Sequence, residues 1–158
     1  CDSEPPVFVN TVKVQSAKDM YDAVIERADS MDIIVKAAAV ADYRPKNVSS
    51  EKVKKQDGNM SIELERTDDI LKTLGERKNG QFICGFSMET ENMLENSRKK
   101  LEKKNCDMIV ANNLKQDGAG FGGNTNIVTL ITKDDEVQLE KMTKDEVAEK
   151  IFDFILSR

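Results

Sequence analysis

Histidine does not occur in this chain, and neither does tryptophan. Losing histidine removes the commonest general base and the commonest zinc ligand together. Ser-His-Asp, Cys-His and histidine-metal chemistries are therefore excluded. Any catalysis must rest on Lys, Arg, Asp, Glu, backbone amides and a hydrated Mg²⁺. Cysteine is sparse as well: Cys1, Cys84 and Cys106 are odd in number and far apart, which is no disulfide framework. Cys84 in "QFICGF" and Cys106 in "NCDMIV" sit in or beside apolar runs, so buried structural thiols in a reducing compartment are expected. No apolar run approaches the ~18 residues of a spanning helix, and no signal-peptide pattern is present, so a cytoplasmic chain with no membrane contact is expected. Acidic residues outnumber basic ones, 29 to 24, for a net charge of −5. That balance argues against nucleic acid as a partner, although clustered lysines still permit a local cationic site.

What is present alternates between helical and strand patterns. The 158 residues fit one domain over 1–158. "SAKDMYDAVIERADS" reads as an amphipathic helix capped by Ser16, with Asp19 three residues on and Met20, Val24 and Ala28 on one stripe. "DIIVKAAAV" predicts a strand covered on both faces. The polar stretch "YRPKNVSSEKVKKQDGN" lacks a period in its first half, and "MSIELER" alternates as a strand should. "TDDILKTLGERKNG" predicts a short helix with Thr67 as N-cap and Gly80 as stop. "QFICGFS" and "CDMIVANN" predict buried strands flanking the charged helix "ETENMLENSRKKLEKKN", whose Leu94, Ser97 and Leu101 face inward. "LKQDGAGFGGNTN" is a Gly-rich loop, "IVTLITKDDEVQLEKM" a hairpin turning at Asp134–Asp135, and "TKDEVAEKIFDFIL" a closing helix. The fold class is α/β: a Rossmann-like three-layer fold with a mainly parallel sheet and a C-terminal antiparallel hairpin. Such folds usually open with a strand and a Gly-rich turn, and both are missing here.

Three strand exits, "AAAVAD", "CGFSMET" and "VANN", end in small, polar or amide residues. In a parallel sheet they share one edge, the usual place for a ligand pocket. The lysines of "EKVKK", residues 51–55, sit where a loop could close over a polyphosphate. Lys100 and Lys104 are four apart, so both ammonium groups lie on one helix face. Asp68 and Asp69 fall in a helix's first turn, where negative charge is favoured. Two carboxylates repel a triphosphate, so that end suits a base or sugar. "GAGFGGN" lacks a Lys-Ser/Thr ending and precedes a strand, so it is no P-loop.

Taken in order, "AAAVADYRP", "EKVKK", "DDIL", "GFSMET", "KKLEKK" and "DMIVANN" resemble the phosphopantothenoylcysteine synthetase family, the second activity of the bacterial Dfp flavoprotein of coenzyme A synthesis. The resemblance runs from about Val12 to the C-terminus. It implies a ligase that activates 4′-phosphopantothenate with CTP and Mg²⁺ as an acyl-cytidylate, then condenses it with cysteine. "AVADYRP" is similar to the bacterial, CTP-using type; ATP-preferring relatives tend to read Ser-Asp-Phe there. The match implies nucleotide contacts at Lys36, Ala37, Ala38, Asp42, Asp68, Asp69, Ile70, Leu71 and Phe86. It implies a triphosphate-binding pair at Lys100 and Lys104, and a catalytic mobile-loop lysine at Lys52. A carboxylate nucleophile needs no base, which agrees with the absence of histidine. The resemblance also implies a homodimer, for which "VTLITKDDEVQLEKM" is a candidate surface, and in many relatives a fused flavin-dependent decarboxylase. FMN is not expected on this chain.

Two departures stand out. Thr67-Asp68 replaces the Asn-Pro frequent before "DI" in that family. Its first strand, Gly-rich turn and "N-x-S-S-G" segment are absent, so the domain is expected to lack its N-terminal part and to be inactive alone. Two other readings stay open: a nucleotide-binding piece without chemistry, and a Rossmann-type oxidoreductase, which would need a G-x-G-x-x-G that is not found.

Overall fold

A computed structural model describes residues 6–49, 51–54, 58–89, 91–113 and 123–158. Its elements run α1 (Ala17–Ala28), β1 (Ile33–Lys36), β2 (Tyr43–Pro45), β3 (Leu64–Arg66), α2 (Ile70–Arg77), β4 (Phe82–Glu89), α3 (Met93–Lys103), β5 (Met108–Asn113), β6 (Thr125–Asn126), β7 (Val128–Ile131), β8 (Glu136–Gln138), β9 (Met142–Thr143) and α4 (Lys144–Leu156). The main sheet has the order β1-β4-β5-β7-β8. β1, β4 and β5 run parallel, and β7 and β8 extend them antiparallel. The α/β fold with a parallel centre and a closing hairpin agrees with the sequence reading.

Strand alternation sorts the core into two layers. Ile83 and Ile109 face α1, α2 and α3, packing with Ala28, Ile70, Leu71, Leu74 and Leu101. Cys84, Met108, Val110, Val128 and Leu130 face the other way, onto Val147, Ile151 and Ile155 of α4. Helices thus cover both faces. Within the described residues no helix is long and apolar enough to cross a membrane.

Local signals explain most boundaries. α1 begins in a full capping box between Ser16 and Asp19. α3 ends in a Schellman turn: Asn105 takes a positive φ of 50°, and the Cys106 N–H donates to the Leu101 carbonyl at 3.0 Å.

Several expectations need correcting. α2 is capped by Asp69, whose carboxylate accepts the Lys72 amide at 2.9 Å; Thr67 lies before the cap. The helix stops at Arg77, ahead of Gly80. Leu94 is 38% exposed, because it precedes the turn that meets the sheet, whereas Ser97 and Leu101 are buried. β1 stops at Lys36 and lies at the sheet's edge, with Val35 37% exposed, so it is not covered on both faces. Of "MSIELER" only Leu64–Arg66 is strand, and it pairs with β2 in a separate ribbon outside the main sheet. Arg44–Glu65 and Lys46–Glu63 ion pairs hold the ribbon's charged face. The short strands β2, β6 and β9 were not anticipated. Lys55, Cys1 and residues 114–122 of the Gly-rich loop lie outside the described residues.

Candidate functional site

β1, β4 and β5 all end at the same edge of the sheet, in register Lys36↔Gly85 and Glu89↔Asn113. Against that edge lies a cavity of about 700 Å³. Its walls come from the alanine turn after β1 (Lys36, Ala37, Ala38, Ala39, Val40, Asp42), the entry to α2 (Thr67 to Leu71), the exit of β4 (Phe86, Met88) and α3 (Lys100, Lys104). Eleven of the twelve site residues expected from the sequence therefore meet here: all of Lys36, Ala37, Ala38, Asp42, Asp68, Asp69, Ile70, Leu71, Phe86, Lys100 and Lys104. Lys52 does not. It sits on an exposed segment outside the elements and is not among the lining residues.

The small side chains have a structural purpose visible in the bonds around them. The Lys36 ammonium donates to the Ala38 carbonyl at 2.7 Å, curling the chain as it leaves the strand. Thr67 then ties that turn to α2: its hydroxyl donates to the Ala41 carbonyl at 2.6 Å and its amide to the Asp42 carbonyl at 3.0 Å. On β4 beside the alanine turn, Gly85 is kept bare by packing: a Cβ there would meet the Leu71 side chain at 2.7 Å and that of Ile109 at 3.0 Å.

Three lysines crowd one wall. Burial lowers the Lys36 pKa below its ordinary 10.5, the charge of Lys100 lowers it further, and Asp69 and Asp42 only partly compensate. Lys100 donates to the Phe86 carbonyl at 2.8 Å and has no carboxylate partner among the described residues. Lys104 is different, being hydrogen-bonded and ion-paired to Asp69. Burial alone would push the Asp69 carboxyl up; the Lys104 bond, the Lys72 amide and the charges of Lys104 and Lys36 outweigh it and hold the group below 3.8. The result is a pocket with incompletely compensated positive charge on Lys36 and Lys100 beside a neutralised pair. A polyanion relieves that repulsion.

Sequence reasoning missed the far wall. Asn112, Asn126, Lys144, Val147, Ala148 and Ile151 also line the cavity. Asn112 belongs to the strand exit "VANN", where its amide was noticed without a role. Lys144 follows the capping Thr143 and reads as an ordinary helix start. Among the described residues no cluster of three acidic or thiol side chains could cage a metal. Cys84 and Cys106 are buried free thiols, pushed up by burial to about 12 and about 11.

The whole chain, residues 1–158, matches the DNA/pantothenate metabolism flavoprotein C-terminal domain. The chain belongs to this family. It is 53% identical over 131 residues to the coenzyme A biosynthesis bifunctional protein CoaBC of Bacillus subtilis, covering 83% of this chain and 32% of that protein. It is 43% identical over 151 residues to a cysteine/cysteine sulfinic acid decarboxylase from an unknown prokaryotic organism, covering 94% of this chain and 42% of the relative. Among solved structures, the C-terminal domain of a CoaBC protein superposes with a TM-score of 0.79 at 48% identity, over 99% of this chain and 71% of that one. The chain thus spans about a third of the B. subtilis CoaBC relative.

Proposed function

We propose that this domain is the nucleotide-binding part of a phosphopantothenate–cysteine ligase acting in coenzyme A biosynthesis. The observation that carries the reading is the convergence of Lys36, Lys100 and Lys104 on one cavity floored by alanines at the strand exits. Family membership and similarity to a CoaBC protein favour the same chemistry.

In this reading the 4′-phosphopantothenate carboxylate attacks the α-phosphate of CTP. The O–P bond forms as the bond to pyrophosphate breaks. The amine of cysteine then attacks the acyl carbonyl, loses a proton, and displaces CMP to form the amide. Lys36 and Lys100 face the charge on the phosphates, and Lys104, released from Asp69, joins them. The alanine turn admits the nucleoside, with Asp42 and the α2 entry as hydrogen-bonding groups for base or sugar. Lys52 is assigned to a segment that closes over the phosphates, supplying charge as the transition state forms. Mg²⁺, where present, neutralises phosphate charge. The open Asp42 and Asp68 carboxylates, with no cage of three acidic or thiol side chains among the described residues, fit an ion carried mainly by the nucleotide. A homodimer, and fusion to a decarboxylase domain in the whole protein, complete the proposal. A decarboxylase name on one relative belongs to a protein of which this chain spans 42%.

The test uses the full-length protein that carries this chain. Lys52→Gln is expected to reduce CTP-dependent pyrophosphate release by orders of magnitude while the circular dichroism spectrum stays unchanged. Undiminished release, or release with no nucleotide preference and no need for phosphopantothenate, counts against the assignment.

A further inference from the structure

The cavity straddles the sheet edge, and its two sides differ in chemistry. On the α2 and α3 side lie Lys36, Lys100 and the Lys104–Asp69 pair. Asn112 follows Met108 and Val110 at alternate positions of β5, so it shares their face, the one packed by α4. It is 6% exposed, lines the cavity, and its side-chain oxygen has no hydrogen-bond partner among the described residues. A buried acceptor of this kind is costly unless a donor reaches it.

Across the same lobe, Lys144 opens α4. The helix dipole disfavours a cation there, and no carboxylate pairs with it among the described residues. Its backbone amide donates to the Asn124 carbonyl at 2.9 Å, which fixes the helix start at the cavity rim. Asn126 accepts the Ile127 amide at 3.0 Å through its side-chain oxygen, leaving its amide nitrogen to donate. Met88 and Ala148 supply apolar surface in the same lobe.

An unpaired acceptor, a cation beside an amide donor and a small apolar wall complement an α-amino acid. We propose that this lobe is the amino-acid subsite: Asn112 accepts from the α-amino group, Lys144 and Asn126 hold the α-carboxylate, and Met88 and Ala148 receive a short uncharged side chain. The proposal rests on the ligase reading for its place in the reaction. It assigns the two sides of one cavity to two substrates, and the acyl group would lie between them over the strand exits.

The experiment compares wild type, Lys144→Met and Lys144→Arg in the full-length protein. Two activities are read: the KM for cysteine in the complete reaction, and pyrophosphate release from CTP and phosphopantothenate without cysteine. Lys144→Met should raise the cysteine KM at least ~10-fold, by a clearly larger factor than it changes the CTP KM or the cysteine-free half-reaction, and be rescued substantially by arginine. An unchanged cysteine KM, or a defect confined to CTP, overturns the subsite. Saturation-transfer NMR with S-methylcysteine reads the lobe without chemistry. Transfer in wild type that is weakened in Lys144→Met and in Asn112→Leu supports it, and equal or absent transfer in all three overturns it. Failure of CTP-dependent release in wild type alone refutes the ligase assignment, while the NMR result still decides the lobe.

Discussion

Lys36 is the residue that most directly reports the character of the pocket. Burial, and then the charge of Lys100, lowers its pKa below 10.5, so its ammonium begins to lose charge before that pH is reached. CTP affinity should therefore fall on the alkaline side before 10.5 is reached, and Lys36→Arg should remove that fall. Affinity by calorimetry that stays flat up to that pH in wild type contradicts the argument. Asp69 works with the opposite sign. Its folded pKa lies below 3.8, so its stabilising contribution is complete above 3.8 and is lost as pH falls through the lower folded value. Asp69→Asn keeps a capping side chain but loses the ion pair, and Asp69→Ala loses both. Urea unfolding at neutral pH should place the alanine variant about 1 kcal/mol below the asparagine one, the usual worth of an N-cap; equal stabilities would mean that the cap contributes nothing. At this scale the sequence was informative about residue type and silent about partners. It placed Asp69 and Lys104 in one site, but nothing in a linear spacing of 35 residues says that they neutralise each other.

Between elements, the contact that positions these charges is the approach of α2 to the end of α3. A Cβ on Gly75 would lie 1.8 Å from the Lys104 carbonyl oxygen and 3.2 Å from the Asn105 Cβ. Asn105 completes the joint by donating from its side chain to the Gly75 carbonyl at 2.9 Å. Gly75→Ala must push the two helices apart. It should destabilise the fold by about 1–3 kcal/mol, as overpacking does, and weaken CTP binding as Lys104 moves from the α2 entry. A variant as stable as wild type would show that the helices yield freely. Helix and strand identities were legible because caps and periodicities are local: Ser16 with Asp19, and the buried runs of β4 and β5. The ribbon of β2 and β3 was not, because three-residue strands carry no period and pairing between them is set by the tertiary turn. The shift of the α2 cap from Thr67 to Asp69 has the same cause. Thr67 is drawn to the Ala41 carbonyl by a contact 26 residues away in sequence, leaving Asp69 to cap.

For the molecule as a whole, the parallel centre of the sheet gathers three chemically modest segments into one place. Strand exits in a parallel sheet share an edge, a rule that needs no knowledge of contacts, and it accounts for Lys36, Ala37, Ala38, Asp42 and Phe86; the expected residues of the α2 entry and of α3 followed from the family resemblance. The α4 wall escaped notice for the converse reason. It comes from the opposite layer, and neither charge patterning nor spacing links Lys144 to the residues it faces. Lys52 is the outlying member, on an exposed segment away from the lining. The central claim is that incompletely compensated lysine charge over the alanine turn holds a nucleotide polyphosphate. Isothermal titration of CTP with Mg²⁺ into wild type and Lys100→Met at low and moderate salt tests it most directly. The account predicts that the variant binds at least ~10-fold more weakly, about 1.4 kcal/mol, with a shallower dependence on salt than wild type. Equal affinity and equal salt dependence in the two proteins would contradict it.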